Sequence, residues 1–104
     1  MPFPKFFTGC QPSITSDAAV QMSTGTNASL GLMLGVQVAA SANNPNTVYV
    51  GGASVTIPST ATANETAGIP IAPGAYAFFD VTTADQLYCI AGTTAKHVVS
   101  WWAQ

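Results

Sequence analysis

The sequence predicts an all-β fold, either an antiparallel β-sandwich or a jelly-roll-like small barrel of about seven strands with little helix. Short runs rich in β-branched and aromatic residues alternate with turns rich in Gly, Pro and Asn, which is the pattern typical of such folds. No stretch of the sequence shows sustained helical periodicity, so we expect few helices.

The first twelve residues predict an extended arm in front of the domain. Two prolines interrupt helix formation there, and the apolar segment contains Phe3, Phe6 and Phe7. We therefore divide the chain into an N-terminal arm over residues 1–12 and a β-sandwich domain over residues 13–104. The arm either docks on a neighbouring molecule or is disordered, and the sequence leaves both readings open.

The strongest strand pattern runs from Leu30 to Val38, where five aliphatic residues recur at every second position. On a strand these residues all face one side of the sheet. On a helix they would scatter around the axis, and the two internal glycines would each cost up to about 1 kcal/mol. A long strand is therefore predicted here, after weaker strand patterns over 13–15 and 18–22.

Turn residues divide the remainder of the chain into further short strands. The segment from Asn43 to Asn46 is rich in turn-forming residues, and residues 58–68 are predicted to form an exposed loop. In the strand that precedes Asp80, alternation places Tyr76 and Phe78 on one face. The other predicted strands are, in chain order, 47–50 with an extension or restart over 53–57, 75–81, 87–91 and 97–102.

Charged residues are unusually scarce. They make up 6% of the chain, with a net charge of −2, against about 25% in a typical soluble domain. Since a free protein normally stays soluble through many surface charges, this composition predicts a surface that other molecules largely cover. Two lysines are too few to neutralise nucleic-acid phosphates, and the longest apolar run is too short for a membrane helix, so neither partner is expected.

The sequence offers no set of residues suited to an enzyme, and we expect no catalytic residue, metal or cofactor. His97 could meet Cys89 across neighbouring strands, but it shares a strand face with Val99 and Trp101. A half-buried or interface histidine is therefore favoured. Cys10 and Cys89 are expected to be two buried free thiols, although a mutual disulfide stays open.

Aromatic residues are the candidate interface residues, because rigid rings are frequent anchors of protein contacts. Adjacent tryptophans on a strand point to opposite faces, so one of the pair should enter the core while the other lies outward. The outward ring either anchors an interface or covers an edge of its own domain. The full set of candidates is Phe3, Phe6, Phe7, Tyr49, Trp101 and Trp102.

Several segments of the C-terminal half resemble small virion proteins of tailed bacteriophages. They are Asn46-Thr-Val-Tyr-Val-Gly-Gly52, Gly68-Ile-Pro-Ile-Ala-Pro-Gly74, Asp80-Val81 and Leu87-Tyr-Cys-Ile-Ala91. In those proteins a strand ending in Tyr-Val-Gly-Gly, a Pro-Leu-Ala-Pro-Gly turn, an Asp-Val strand end and a Leu-Tyr-Ala-Ile-Ala strand follow in the same order. The chain departs from them in its ending, Ser100-Trp-Trp-Ala-Gln, and in the 58–68 loop.

The resemblance implies a head decoration or cement protein that binds the outside of a phage capsid and stabilises it. The implied partners are the major capsid protein and copies of the chain itself, as a homotrimer, and the implied location is the capsid surface of the virion. One alternative is another virion part, such as a head fibre, tail adaptor or baseplate component. A second is a carbohydrate-binding β-sandwich that stacks sugars on Trp102, Tyr49 or Tyr76.

Overall fold

A computed structural model describes residues 7–58 and 67–104 of the 104-residue chain. These ranges contain eight β-strands, and a short 3-10 turn covers Ala84–Gln86. No helix in the described part of the chain is long and apolar enough to cross a membrane. The strands are β1 (Phe7–Ile14), β2 (Val20–Gln21), β3 (Val36–Ala40), β4 (Val48–Gly51), β5 (Ile69–Ile71), β6 (Tyr76–Phe79), β7 (Tyr88–Ala91) and β8 (His97–Ala103).

The strands form two four-stranded antiparallel sheets. Sheet I has the order β1-β8-β3-β6 and sheet II has the order β2-β7-β4-β5. Fully buried valines of both sheets, among them Val36 and Val38 in sheet I and Val48 and Val50 in sheet II, belong to one apolar cluster. Branched aliphatic side chains suit the pleated surfaces that pack together here. The predicted antiparallel β-sandwich is confirmed.

The N-terminal strand lies in sheet I. The division by sequence assigns residues 7–12 to an arm, whereas the structure places them in β1, paired antiparallel with β8. The ring of Phe7 packs edge-on against Trp101, with 5.5 Å between centroids and planes at 89°. Backbone pairing with the C-terminal strand and this aromatic contact explain why the sheet begins earlier than the proline-rich start of the chain suggests.

The predicted strand over 30–38 is wrong for residues 30–35, because β3 begins only at Val36. Gly35 has a φ of 121°, a backbone conformation that interrupts an extended strand and favours glycine. The amides of Leu34 and Gly35 both donate to the carbonyl oxygen of Gln104, at 2.7 and 3.2 Å. Leu34 and Met33 are 53% and 63% exposed, so the alternating leucines do not form one buried row.

Most of the other predicted strands lie where the pattern places them, as β4, β6, β7 and β8. Residues 53–57 form no strand, and Thr56 lies in an isolated parallel bridge to Ala67. Of the predicted 58–68 loop, residues 59–66 lie outside the described residues. Gly68, at the end of that segment, is buried and its amide donates to the carbonyl of Thr56.

Candidate functional site

The outer face of sheet I, which is the side turned away from sheet II, carries a continuous group of uncharged side chains. Strand register aligns them in two rows that cross β1, β8, β3 and β6 in that order. The rows are Thr8, Trp102, Gln37 and Phe78, then Cys10, Ser100, Ala39 and Tyr76. We call these eight residues the sheet I patch.

Alternation along the strands explains why these side chains point outward. In β8 the residues from His97 to Ala103 alternate between buried and more exposed positions, with Ser100 and Trp102 on the exposed side. In β6 the pattern is shorter, with Tyr76 65% exposed and Phe78 51% exposed. Since successive side chains of a strand point to opposite faces, the same backbone that fills the core also builds the patch.

Aromatic rings stand at one end of the patch beside smaller side chains. The ring centroids of Phe78 and Trp102 lie 6.3 Å apart, with their planes at 48°. Beside Trp102, the small side chains of Ser100 and Ala39 leave a shallow groove of about 520 Å³ over β8. The patch therefore combines exposed rings with a recess that an apolar side chain of another molecule can enter.

No charged residue of the described ranges belongs to the patch. Asp17, Asp80, Asp85 and Lys96 all lie between strands, in turns, at strand ends or in the 3-10 turn. A contact confined to these eight residues would therefore remove no charged side chain of this chain from water. Such a removal is costly unless the charge is paired. Depletion of charge together with exposed aromatic rings is typical of the centre of a protein interface.

The structure places the candidate interface residues in different parts of the fold. Trp101 is 8% exposed and belongs to the core, whereas Trp102 lies on the patch. Phe7 is half-buried against Trp101. Tyr49 is half-buried, and the buried valines on either side of it place it on the outer face of sheet II. Phe3 and Phe6 lie outside the described residues.

Two aromatic members of the patch, Tyr76 and Phe78, were not among the interface candidates from the sequence. The alternation before Asp80 already assigns both rings to one face. Because that face continues to a charged residue, the pattern could have identified it as the solvent side. The local pattern could not identify the β1, β8 and β3 residues that lie beside these rings, because their position depends on strand order.

His97 and Cys89 occupy different sheets. His97 lies in β8 opposite Ile14, and Cys89 lies in β7 between Val20 and Val50. His97 is fully buried, with Nδ1 2.7 Å from the carbonyl oxygen of Ala95. A core histidine therefore replaces the half-buried or interface histidine expected from the sequence. Its Nε2 has no hydrogen-bond partner among the described residues.

The two cysteines differ in exposure. Both are free, but Cys10 is exposed on the patch while Cys89 is buried. The expectation of two buried thiols is thus wrong for Cys10, because the alternation of β1 turns this side chain outward. Burial raises the pKa of the Cys89 thiol from 9.0 to about 12, since the thiolate would lose its water. Thiol reagents, which react with the nucleophilic thiolate, should therefore spare Cys89.

A thiol titration checks this assignment. At about pH 8, the folded protein should react rapidly with one equivalent of a thiol reagent, and a second equivalent should react only after unfolding in denaturant. A Cys10→Ser variant serves as the control, because its folded form should then show no rapid reaction. Two rapid equivalents in the folded wild-type protein would contradict the burial of Cys89.

No group of three or more His, Cys, Asp or Glu residues in the described ranges is placed to hold a metal ion.

Comparison with known proteins does not assign the chain to a family. No protein-family model matches the sequence, and no curated protein matches it. Among solved structures, a chain of the cyanophage Pam1 capsid asymmetric unit is similar at 21% sequence identity, covering 94% of this chain and 79% of that one. The TM-score is 0.35, too low for the likeness to carry an argument about function.

Proposed function

We propose that this chain is a non-enzymatic structural protein of a tailed-bacteriophage particle, and that it docks on the outside of the capsid as a head decoration or cement protein. Its partners are the major capsid protein and copies of itself, in the homotrimer that the resemblance of its C-terminal strands implies. Nucleic acid and membranes have no part in the proposal. The single observation that carries it is the sheet I patch, uncharged and aromatic, in a chain with 6% charged residues.

The chemistry of the patch favours docking on a protein surface. Burying apolar area contributes about 25 cal/mol per Å². The rings of Tyr76 and Phe78 are exposed to solvent and would bury apolar area on docking. The groove beside Trp102 offers a recess for an anchoring side chain. Hydroxyl and amide groups of Ser100 and Gln37 supply hydrogen-bonding groups without the desolvation cost of a charge.

A lysine at the centre of the patch tests the proposal. Ser100 is exposed and lines the groove, with Cys10 and Ala39 opposite it on the neighbouring strands. In Ser100→Lys an unpaired ammonium group would be buried on docking, so affinity for capsids that lack this subunit should fall at least about 30-fold, equivalent to about 2 kcal/mol. Co-sedimentation with such capsids measures the binding.

The matched control is Ser54→Lys, which adds the same charge at an exposed turn after β4, away from the patch. Binding of this variant should equal that of the wild-type protein. Equal binding by Ser100→Lys and Ser54→Lys would show that the patch is not the docking surface. Wild-type protein that ignores capsids but sediments with isolated tails would favour the tail or baseplate alternative.

The geometry divides the three candidate rings of the carbohydrate-binding alternative between two surfaces. A sugar-stacking site needs its rings on one surface, but Tyr49 lies on the outer face of sheet II. Trp102 and Tyr76 lie on the outer face of sheet I. Tyr49 therefore cannot share a binding site with Trp102 and Tyr76, and the alternative is restricted to those two rings.

A further inference from the structure

Strand β6 forms one edge of sheet I. Its inner neighbour is β3, and in the described ranges no strand pairs with its other side. The amide of Ala40 donates to the carbonyl of Ala75 at 2.9 Å, so the carbonyl group of Ala75 points toward β3. Because this direction alternates along an antiparallel strand, the N–H and C=O groups of Tyr76 and Phe78 point away from the sheet.

The other sheet edges carry features that hinder pairing with another chain, and β6 does not. Pro70 lies within β5, and β2 is only two residues long. In β1 the pairing register shifts between Gln11 and Ile14, around Pro12. Prolines, irregular register and very short strands all protect an edge. Strand β6 has four uncharged residues with regular pairing to β3 and no proline.

We propose that β6 pairs antiparallel with β6 of a second copy of this chain about a two-fold axis, which joins two copies of sheet I into one continuous sheet. The contact goes beyond the proposed docking on a capsid and does not depend on it. It is compatible with a homotrimer, since a two-fold contact at β6 would join a subunit of one trimer to a subunit of another.

The sequence of β6 is self-complementary in this arrangement. With the axis at Ala77, Tyr76 of each copy lies opposite Phe78 of the other, and both residues belong to the outer face. These are the two residues whose backbone groups point outward, so each opposing pair exchanges two main-chain hydrogen bonds. Aromatic cross-strand pairs add side-chain contact. Asp80 falls opposite Gly74, so no like charges meet.

The mass of the purified wild-type chain in solution gives the first test. Sedimentation over a range of concentrations should show association into an even number of copies, either a dimer or a pair of trimers. Amide exchange should slow at Tyr76 and Phe78 by at least about tenfold as the concentration rises, because only paired amides are protected. A monomer or a single trimer at every concentration would overturn the proposal, as would association without protection of these amides.

Edge lysines give the second test. The double variant Tyr76→Lys with Phe78→Lys places charges at two exposed positions of β6, and its mass should fall to half that of the wild type. Ile69→Lys is the control, because Ile69 is 53% exposed on the edge strand of sheet II. This variant should still associate into an even number of copies. Association of the double variant into an even number of copies would contradict the proposal.

The variant Ser100→Lys separates this contact from capsid docking. Ser100 lies in the middle of the sheet, in β8, and has no part in the edge. The Ser100→Lys variant should therefore still associate into an even number of copies in solution while losing affinity for capsids. A chain that docks on capsids and forms a single trimer in solution at every concentration would refute the edge contact and leave the proposed function standing.

Discussion

Replacing Trp101 by Ala should lower the free energy of unfolding by about 4 kcal/mol, while the same change at Trp102 should cost less than half of that. Trp101 is 8% exposed and its ring packs against that of Phe7. Removing it leaves a large cavity that the rigid sheets around it cannot fill. Urea unfolding followed by far-ultraviolet circular dichroism measures both losses without depending on tryptophan fluorescence.

Trp102 is a close control, because it has the same side chain in the same strand and points to the opposite face. The two variants Trp101→Ala and Trp102→Ala therefore differ little in strand propensity or in the size of the deleted group, and mainly in which face of the sheet loses its ring. Equal losses for Trp101→Ala and Trp102→Ala would contradict the inward and outward assignment. On the proposed function, Trp102→Ala should instead weaken binding to capsids, since its ring flanks the groove of the sheet I patch.

The tryptophan pair shows how far local pattern extends. Alternation predicts that the two rings face opposite sides, and this prediction is confirmed. The close packing around Trp101, however, comes from the other end of the chain. A Cβ atom at Gly9 would overlap the Trp101 ring, so the indole occupies space that only a glycine on β1 leaves open. Such a pairing is invisible until the register of β1 and β8 is known.

The same limitation explains the error at Leu30–Val38. Regular alternation of leucines satisfies the strand pattern, but the positive φ of Gly35 and the carbonyl of Gln104 decide the conformation of this segment. Gln104 is far away in sequence, so no window around Leu34 contains the information. Likewise, scarcity of charge predicts a covered surface, but locating that surface on sheet I requires the strand order that brings four distant segments together.

Asn44 illustrates a third kind of information that the sequence hides. From the sequence it is one of several turn-forming residues between two strands. In the structure it is 8% exposed, and its side chain satisfies the backbone of β8 much as a neighbouring strand would. Its Oδ1 accepts from the amide of Val98 at 2.8 Å, and its Nδ2 donates to the carbonyl of Val98 at 2.9 Å. Composition cannot distinguish this asparagine from the exposed Asn43 next to it.

Replacing Asn44 by Ala should therefore lower the free energy of unfolding by about 3 kcal/mol, because it removes both hydrogen bonds and leaves the Val98 amide without its acceptor. Asn43→Ala is the matched control and should change stability by no more than about 0.5 kcal/mol. Chemical denaturation measures both losses, and faster exchange of the Val98 amide in Asn44→Ala locates the cause. Equal stability of the two variants would mean that the Asn44 side chain does not complete the hydrogen bonding of β8 at Val98. A large loss confined to Asn44 would show that a residue in a predicted turn completes the hydrogen bonding of the strand that carries Ser100 and Trp102.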